Sequence, residues 1–218
     1  PTLTATPTST ATAPPTPTST ATLTPTPTAT SGAGQWVTIF EDDFEGSFPG
    51  SWHLSAQSPL QTGFVWGKRN CDAASGSNSA WAVGGGLSGA SLPCGANYPD
   101  NTSSWMTYGP FSLENADEAV LNYSAKFNLV AGFGDYLFAG VSIDGSQFYG
   151  ASLNGSSGGW VERSLDLSNI FTLGDLRGEP AVWIGFIFGS NSGENLPGGA
   201  FVDDVVVQKY TSGAASIQ

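Results

Sequence analysis

The sequence predicts an all-β chain, a two-layer antiparallel sandwich that follows an extended low-complexity Thr/Pro tail. Three observations predict it. Apolar and polar residues alternate, most cleanly in "AVLNYSAKFNLV", where Leu121, Tyr123, Ala125, Phe127 and Leu129 share one face and Asn122, Ser124, Lys126 and Asn128 the other. Period two is the strand period, and one apolar face marks a half-buried antiparallel strand. The 218 residues include 29 Gly, 13 Phe, 7 Trp and 6 Tyr, a composition that suits many short strands joined by tight turns. No segment sustains a helical period; the best candidate, "SNIFTLGDL", is one turn at most. Nine to eleven strands without a convincing helix have to bury their apolar faces sheet against sheet.

The elements follow in order. Composition changes near Gly32, and Thr38 to Phe44 reads as the first strand. "GSFPGSW" turns the chain through Gly46, Pro49 and Gly50. Residues 54–104 are the least regular part, with short strands expected at Phe64–Gly67 and Ala80–Val83. "SSWMTYGPFSL" reads as a strand broken at Pro110. "DYLFAGVSIDGSQFYGASL" is two strands joined at Asp144–Gly145, a hairpin signal. "GWVERSLDL" is a strand, "AVWIGFIFG" is apolar on both faces and reads as a central strand, and "AFVDDVVVQKY" closes the domain. The division is a stalk over 1–34, a sandwich over 35–211 and a polar tail over 212–218.

Composition bounds the function. Removing the tail leaves about 180 residues, enough for a real core. Six Lys and Arg against 18 Asp and Glu give a formal charge of -12. That balance argues against nucleic acid or an anionic membrane surface as partner, since phosphates need basic patches. No run of apolar residues is long enough to span a bilayer. Beginning at Pro1, the chain reads as a processed product. Cys71 and Cys94 are too few for a metal cluster with the single His53, so a disulfide and an oxidising compartment are expected. Closing that loop stabilises the fold by roughly 3 kcal/mol in the chain-entropy model.

Four short motifs occur in a familiar order. "FEDDFEGSFPGSW" resembles the opening of MAM-like modules, "GDYLFAGVSIDGSQF" their hairpin, "WVERSLDLSNI" the next strand and its exit, and "GGAFVDDVVV" the closing strand. The same set occurs in cleaved-adhesin and immune-inhibitor-A-type accessory domains of secreted bacterial proteins. The resemblance spans about residues 38–210; nothing in 54–104 contributes to it. It implies a concanavalin-like jelly roll, a non-catalytic role in adhesion, carbohydrate binding or assembly, and first and last strands lying side by side with a structural Ca²⁺ between them. Asp43 and Glu45 on the first strand, with Asp203 and Asp204 on the last, are the expected ligands. Calcium takes six to eight oxygens, which carboxylates and backbone carbonyls can supply. Adjacent Asp residues in a strand point to opposite faces, so one of Asp203 and Asp204 faces a given site. A solvated acidic edge that discourages sheet-to-sheet pairing is the alternative.

Catalysis has little support. A Ser or Cys nucleophile needs a positioned base, and His53 stands alone beside Trp52 in a turn. Trp66, Trp81, Tyr98 and Trp105, in or near the irregular region, are candidates for a platform on which sugar rings stack, or else core residues. The basic pair Lys68–Arg69 is a candidate for an acidic glycan or for pairing with a neighbouring Asp. Asn101, Asn122 and Asn154 each begin an N-x-S/T triplet, and Asn122 faces away from the apolar side of its strand.

The tail has a distinctive spacing. Thr stands at every even position from 2 to 30 except Pro14: Thr2, Thr4, Thr6, Thr8, Thr10, Thr12, Thr16, Thr18, Thr20, Thr22, Thr24, Thr26, Thr28 and Thr30. Three readings compete. As a polyproline II spacer, thirty residues reach roughly 90 Å at about 3.1 Å each. As a carrier of O-linked glycans, the Thr hydroxyls are the attachment sites. As a strand, period two puts every Thr on one face. The expectation is a secreted, non-enzymatic adhesive or structural module at a cell surface or in an extracellular filament. Its partners are sister subunits, other surface proteins or glycans, and the alternative is a carbohydrate-binding module of a secreted hydrolase.

Overall fold

The computed structural model describes residues 33–57, 63–132 and 134–213. The expectations for the Thr comb lie outside these residues. Eleven strands form an antiparallel jelly-roll sandwich: β1 (Gln35–Asp42), β2 (His53–Ala56), β3 (Val65–Arg69), β4 (Ser79–Gly85), β5 (Ser103–Phe111), β6 (Glu118–Asn128), β7 (Tyr136–Ser142), β8 (Tyr149–Leu153), β9 (Val161–Asp166), β10 (Val182–Gly189) and β11 (Gly199–Thr211). One sheet has six strands in the order β3-β4-β11-β6-β9, with β1 also paired to β11; the other has five, β2-β5-β10-β7-β8. The single short helix among the described residues, Gly86–Gly89, follows β4.

The alternation in β6 does what its period requires. Leu121, Tyr123, Ala125 and Phe127 are buried between the sheets, while Asn122 and Lys126 are partly exposed. β10 is central, flanked by β5 and β7, and therefore apolar on both faces. Phe186 sits at the middle of the core with no exposure and packs edge-on against Trp52, Trp66 and Tyr123. Truncating a ring so enclosed costs about 3–5 kcal/mol. β5 runs through Pro110 to Phe111 and is not broken there, because its pairing with β10 tolerates a register shift between Val182 and Ile184.

The segments that flank β4, residues 70–78 and 86–97, lie over the outer face of the six-stranded sheet, tied by the Cys71–Cys94 disulfide with 5.2 Å between Cα atoms. Arg69 pins this cover: its guanidinium lies 5.3 Å above the Trp81 ring and donates to the carbonyls of Gly84, Gly89 and Leu92. The outer face of the five-stranded sheet has no such cover among the described residues.

Candidate functional site

The uncovered face is built on glycine. In β10, Val182, Ile184, Phe186 and Phe188 point inward, leaving Trp183, Gly185, Ile187 and Gly189 outside. Register sets Ile187 between Trp105 of β5 and Phe138 of β7, and Gly189 beside Tyr136. A Cβ on Gly185 would lie 2.8 Å from the Phe148 ring, one on Gly140 2.5 Å from Phe138, and one on Gly189 2.5 Å from Tyr136. Only glycine allows three aromatic rings to lie this low on the sheet. Trp105 meets Phe148 edge-to-face at 5.8 Å and 82°. Trp105, Tyr136, Phe138, Phe148, Ser152 and Ile187 line a shallow cavity of about 340 Å³.

The β7–β8 connection delivers Phe148. Asp144 Oδ1 accepts the N–H groups of Ser146 and Gln147 at 2.8 and 2.9 Å, and the Ser142 hydroxyl at 2.8 Å. Gly145 takes φ 71°, the left-handed turn conformation that glycine adopts freely. The Gln147 and Ser146 N–H groups, with Ser142, hold the Asp144 carboxyl far below the usual carboxylate range, so the loop stays tied at any ordinary pH. The Trp105 indole N–H is fixed on the Ser103 hydroxyl at 3.0 Å. Among the described residues, no ionisable acid or base other than tyrosine lines the cavity. Flat π-faces rimmed by hydroxyls and free of charge fit an uncharged ligand with its own flat CH face and peripheral hydroxyls.

Three of the four aromatic candidates from the sequence are core residues instead. Trp66 is fully buried between the sheets, its indole N–H on the Ser104 carbonyl at 3.1 Å. Trp81 points outward but lies under the disulfide-tied cover, stacked 5.6 Å from Phe201. Tyr98 is buried with its hydroxyl on Asp135, and burial pushes its phenol up to about 12. Trp105 alone of the four reaches the open face. Tyr136, Phe138, Phe148 and Ile187 were missed, although a signal existed. In "DYLFAGVSI" the two aromatics share parity with Gly140 and Ser142, opposite to Leu137, Ala139 and Val141.

The acidic residues hold loops. Glu45 accepts the N–H groups of Ser77 and Asn78, each at 2.7 Å, and these donors lower its carboxyl. Asp203 is fully buried and accepts from Ala74, Ser75 and Asp204, while Asp204 takes the Ser75 hydroxyl at 2.6 Å. A register shift between Asp203 and Val206 places Asp204 at φ 49°, so the two Asp side chains do not simply alternate. Asp43 caps Glu45 N–H at 3.0 Å. β1 and β11 are neighbours as expected, yet no three His, Cys, Asp or Glu side chains converge as a metal-binding group among the described residues. Asp43, Glu45, Asp203 and Asp204 each accept N–H or O–H donors, and Asp43 and Asp204 line a concavity of about 510 Å³ between β1 and β11 together with Glu41 and Asp42.

The remaining candidates are also placed. Lys68 donates to the Glu45 and Gly46 carbonyls and Arg69 to the cover, so this basic pair does not present a joint anion site. His53 is exposed on β2. Asn101 and Asn154 are exposed and Asn122 is half-buried. A second concavity, about 450 Å³ beside the disulfide, contains Asp72 and Lys126, which are paired to each other; Asp72 also accepts the Trp160 indole N–H at 2.8 Å. No helix among the described residues is long and apolar enough to cross a membrane.

No family model and no curated protein matches the chain. Solved structures do. The K3 cleaved adhesin domain of Lys-gingipain from Porphyromonas gingivalis aligns with a TM-score of 0.50 and 12% identity, covering 79% of this chain and all of that one. The family 11 carbohydrate-binding module of Clostridium thermocellum, solved with a mixed-linked tetrasaccharide, aligns at 0.43 and 16% identity over 81% and 96%. A xylan-binding domain from Paenibacillus barcinonensis aligns at 0.45 and 12% over 84% and 98%. The cleaved-adhesin likeness shows a shared jelly-roll fold.

Proposed function

We propose that this chain is a secreted, non-catalytic adhesive module that binds uncharged carbohydrate on the outer face of its five-stranded sheet. The glycine-seated rings of Trp105, Tyr136, Phe138 and Phe148 support this reading. Flat aromatic faces stack on the CH face of a pyranose, and the described residues that line the cavity carry no charged side chain, which disfavours acidic glycans. A disulfide-tied cover on the opposite sheet supports an extracellular setting. The Thr comb acts as the stalk that presents the module, its hydroxyls carrying O-linked sugars. The test is affinity electrophoresis of the full chain through gels containing xylan, mixed-linked β-glucan or an acidic polysaccharide. Retardation by a neutral polysaccharide that is lost on Trp105→Ala is expected. Mobility unchanged in every gel, or retardation by the acidic polymer alone, overturns the reading.

A further inference from the structure

The concavity of about 450 Å³ beside the disulfide lies on the sheet opposite the aromatic face. Its floor is the outer face of β6 and β11. Phe201 pairs with Lys126 and Gly199 with Asn128, and paired residues share a face of the sheet, so these four positions form two successive rows. Gly199 carries no side chain, which lowers the floor beside Asn128. Phe201 keeps its ring stacked on Trp81 and offers the pocket little apolar surface, being 6% exposed.

Both walls are held in place. One is Cys71, Asp72 and Gly95, fixed by the disulfide. The other is the β8–β9 connection. There Ser157 N–H donates to the Phe127 carbonyl at 2.9 Å, Phe127 N–H donates to Ser157 Oγ at 3.0 Å, and Leu129 N–H donates to the Gly155 carbonyl at 2.7 Å. The Trp160 indole joins the two walls by donating to Asp72. A pocket already formed in the free protein loses little freedom on binding.

The groups lining it have bonding capacity left. Asn128 Nδ2 donates to the Pro197 carbonyl at 3.1 Å, which orients the amide; among the described residues no donor reaches Oδ1. Lys126 donates to Asp72 and to no other described residue, so an ammonium carries N–H groups to spare. Ser156 Oγ accepts the Gly158 N–H at 3.3 Å, and its own O–H is unspent among the described residues. Free acceptors thus stand beside free donors, and the Asp72–Lys126 pair sums to zero charge. A hydroxyl both donates and accepts, so a neutral polyol matches this mixture better than an anion, a cation or an apolar group. Pockets that enclose small ligands begin at about 300 Å³, which sets the size at one or two sugar units.

We propose that this pocket is a second glycan site, which holds a terminal neutral sugar unit by its hydroxyls. It stands independently of the aromatic face, and differs from it in chemistry: hydrogen bonds read the stereochemistry of one unit, where stacked rings follow the length of a chain. A module with both sites holds two glycans at once, one on each sheet.

The test is NMR of the full chain, isotope-labelled and titrated with the methyl glycosides of glucose, galactose, mannose and xylose. So small a ligand is expected to bind at about the millimolar level, so the titration runs to about 100 mM. The Gly158, Gly198 and Gly199 amides should shift with at least one glycoside. Asn128→Ala removes the free acceptor and should weaken that binding about tenfold. Gly159 lies on the pocket wall with open space where a Cβ would be and no left-handed φ, so Gly159→Trp fills the pocket without strain and should abolish the shifts. Trp105→Ala should leave them unchanged. Melting curves like that of the wild type show that the variants are folded. Pocket amides that move with none of the four glycosides, shifts that survive in Gly159→Trp, or shifts lost in Trp105→Ala overturn the proposal; the last outcome assigns the sugar to the aromatic face. Gel retardation through Trp105 and these shifts can each fail while the other stands, so the two sites are judged separately.

Discussion

Gly185→Ala isolates the platform from the fold. The new Cβ would stand 2.8 and 2.9 Å from two carbons of the Phe148 ring, against ordinary contact beginning at 3.4 Å. The ring has to lift by about 0.6 Å (3.4 minus 2.8) or swing aside. Gly185 is not in the left-handed region, so the backbone accepts alanine, and the ring is the end of a side chain that can move. The stability change should stay near 1 kcal/mol, the size of the lost edge-to-face contact with Trp105. The functional change should be larger in proportion. Losing one stacking ring is expected to weaken binding about fivefold to tenfold, roughly 1–1.4 kcal/mol. Trp105→Ala, which removes a central ring, should cost about 2 kcal/mol or more. Titration calorimetry against the polysaccharide that retards the chain, with thermal melting alongside, reads both quantities. Phe148→Ala should add almost nothing in the Gly185→Ala background, because both changes remove the same contact. Wild-type affinity for Gly185→Ala, or full additivity of the two changes, would refute the glycine-floor argument.

The remaining expectations are brief. Asp144→Ala frees Ser146 and Gln147 N–H, so binding should weaken several-fold with the melting temperature nearly unchanged. Because the folded-state carboxyl is depressed, its contribution is present above the ordinary carboxylate range and lost only as pH falls through the lowered value. Wild-type binding should therefore vary less than twofold between about pH 5 and 8, and a steeper profile would show that some other titrating group takes part. Cys71→Ser/Cys94→Ser should cost about 3 kcal/mol, lowering the melting temperature by roughly 6–12 °C; sugar binding on the opposite sheet should be unaffected at 25 °C, and a loss there would link the two faces. Burial pushes Asp203 up to about 6, so the folded state takes its proton first and this group's own contribution to stability rises as pH falls from about 6 toward 4, which a comparison of melting curves for wild type and Asp203→Asn over that range reads. With its oxygens already on N–H donors, neither calcium nor a chelator should move the melting curve, and a calcium-dependent rise would show a cation displacing them. Intact mass of the protein from its native source should exceed that of the bare polypeptide by whole hexose or pentose units, whereas a bare mass removes the glycan-carrier role of the comb.

Strand identity and the core were legible in the chain because they follow from local alternation. The period-two pattern of β6 and the two-sided apolar run of β10 name their own burial, and the cysteine count names the disulfide. The site was not legible, and Trp81 and Trp105 show why. Each sits on a strand with its ring on the outward parity, and nothing within five residues of either tells them apart. Trp81 is buried because a loop closed by Cys71 and Cys94 folds back across its sheet. Trp105 stays open because the neighbouring strands offer Ile187 and the floor of Gly185, Gly140 and Gly189, with no segment laid over them among the described residues. Parity is a property of one strand and can be read from the sequence alone. Which outward face remains bare depends on contacts between residues far apart in the chain, and those exist only once the sheets have packed.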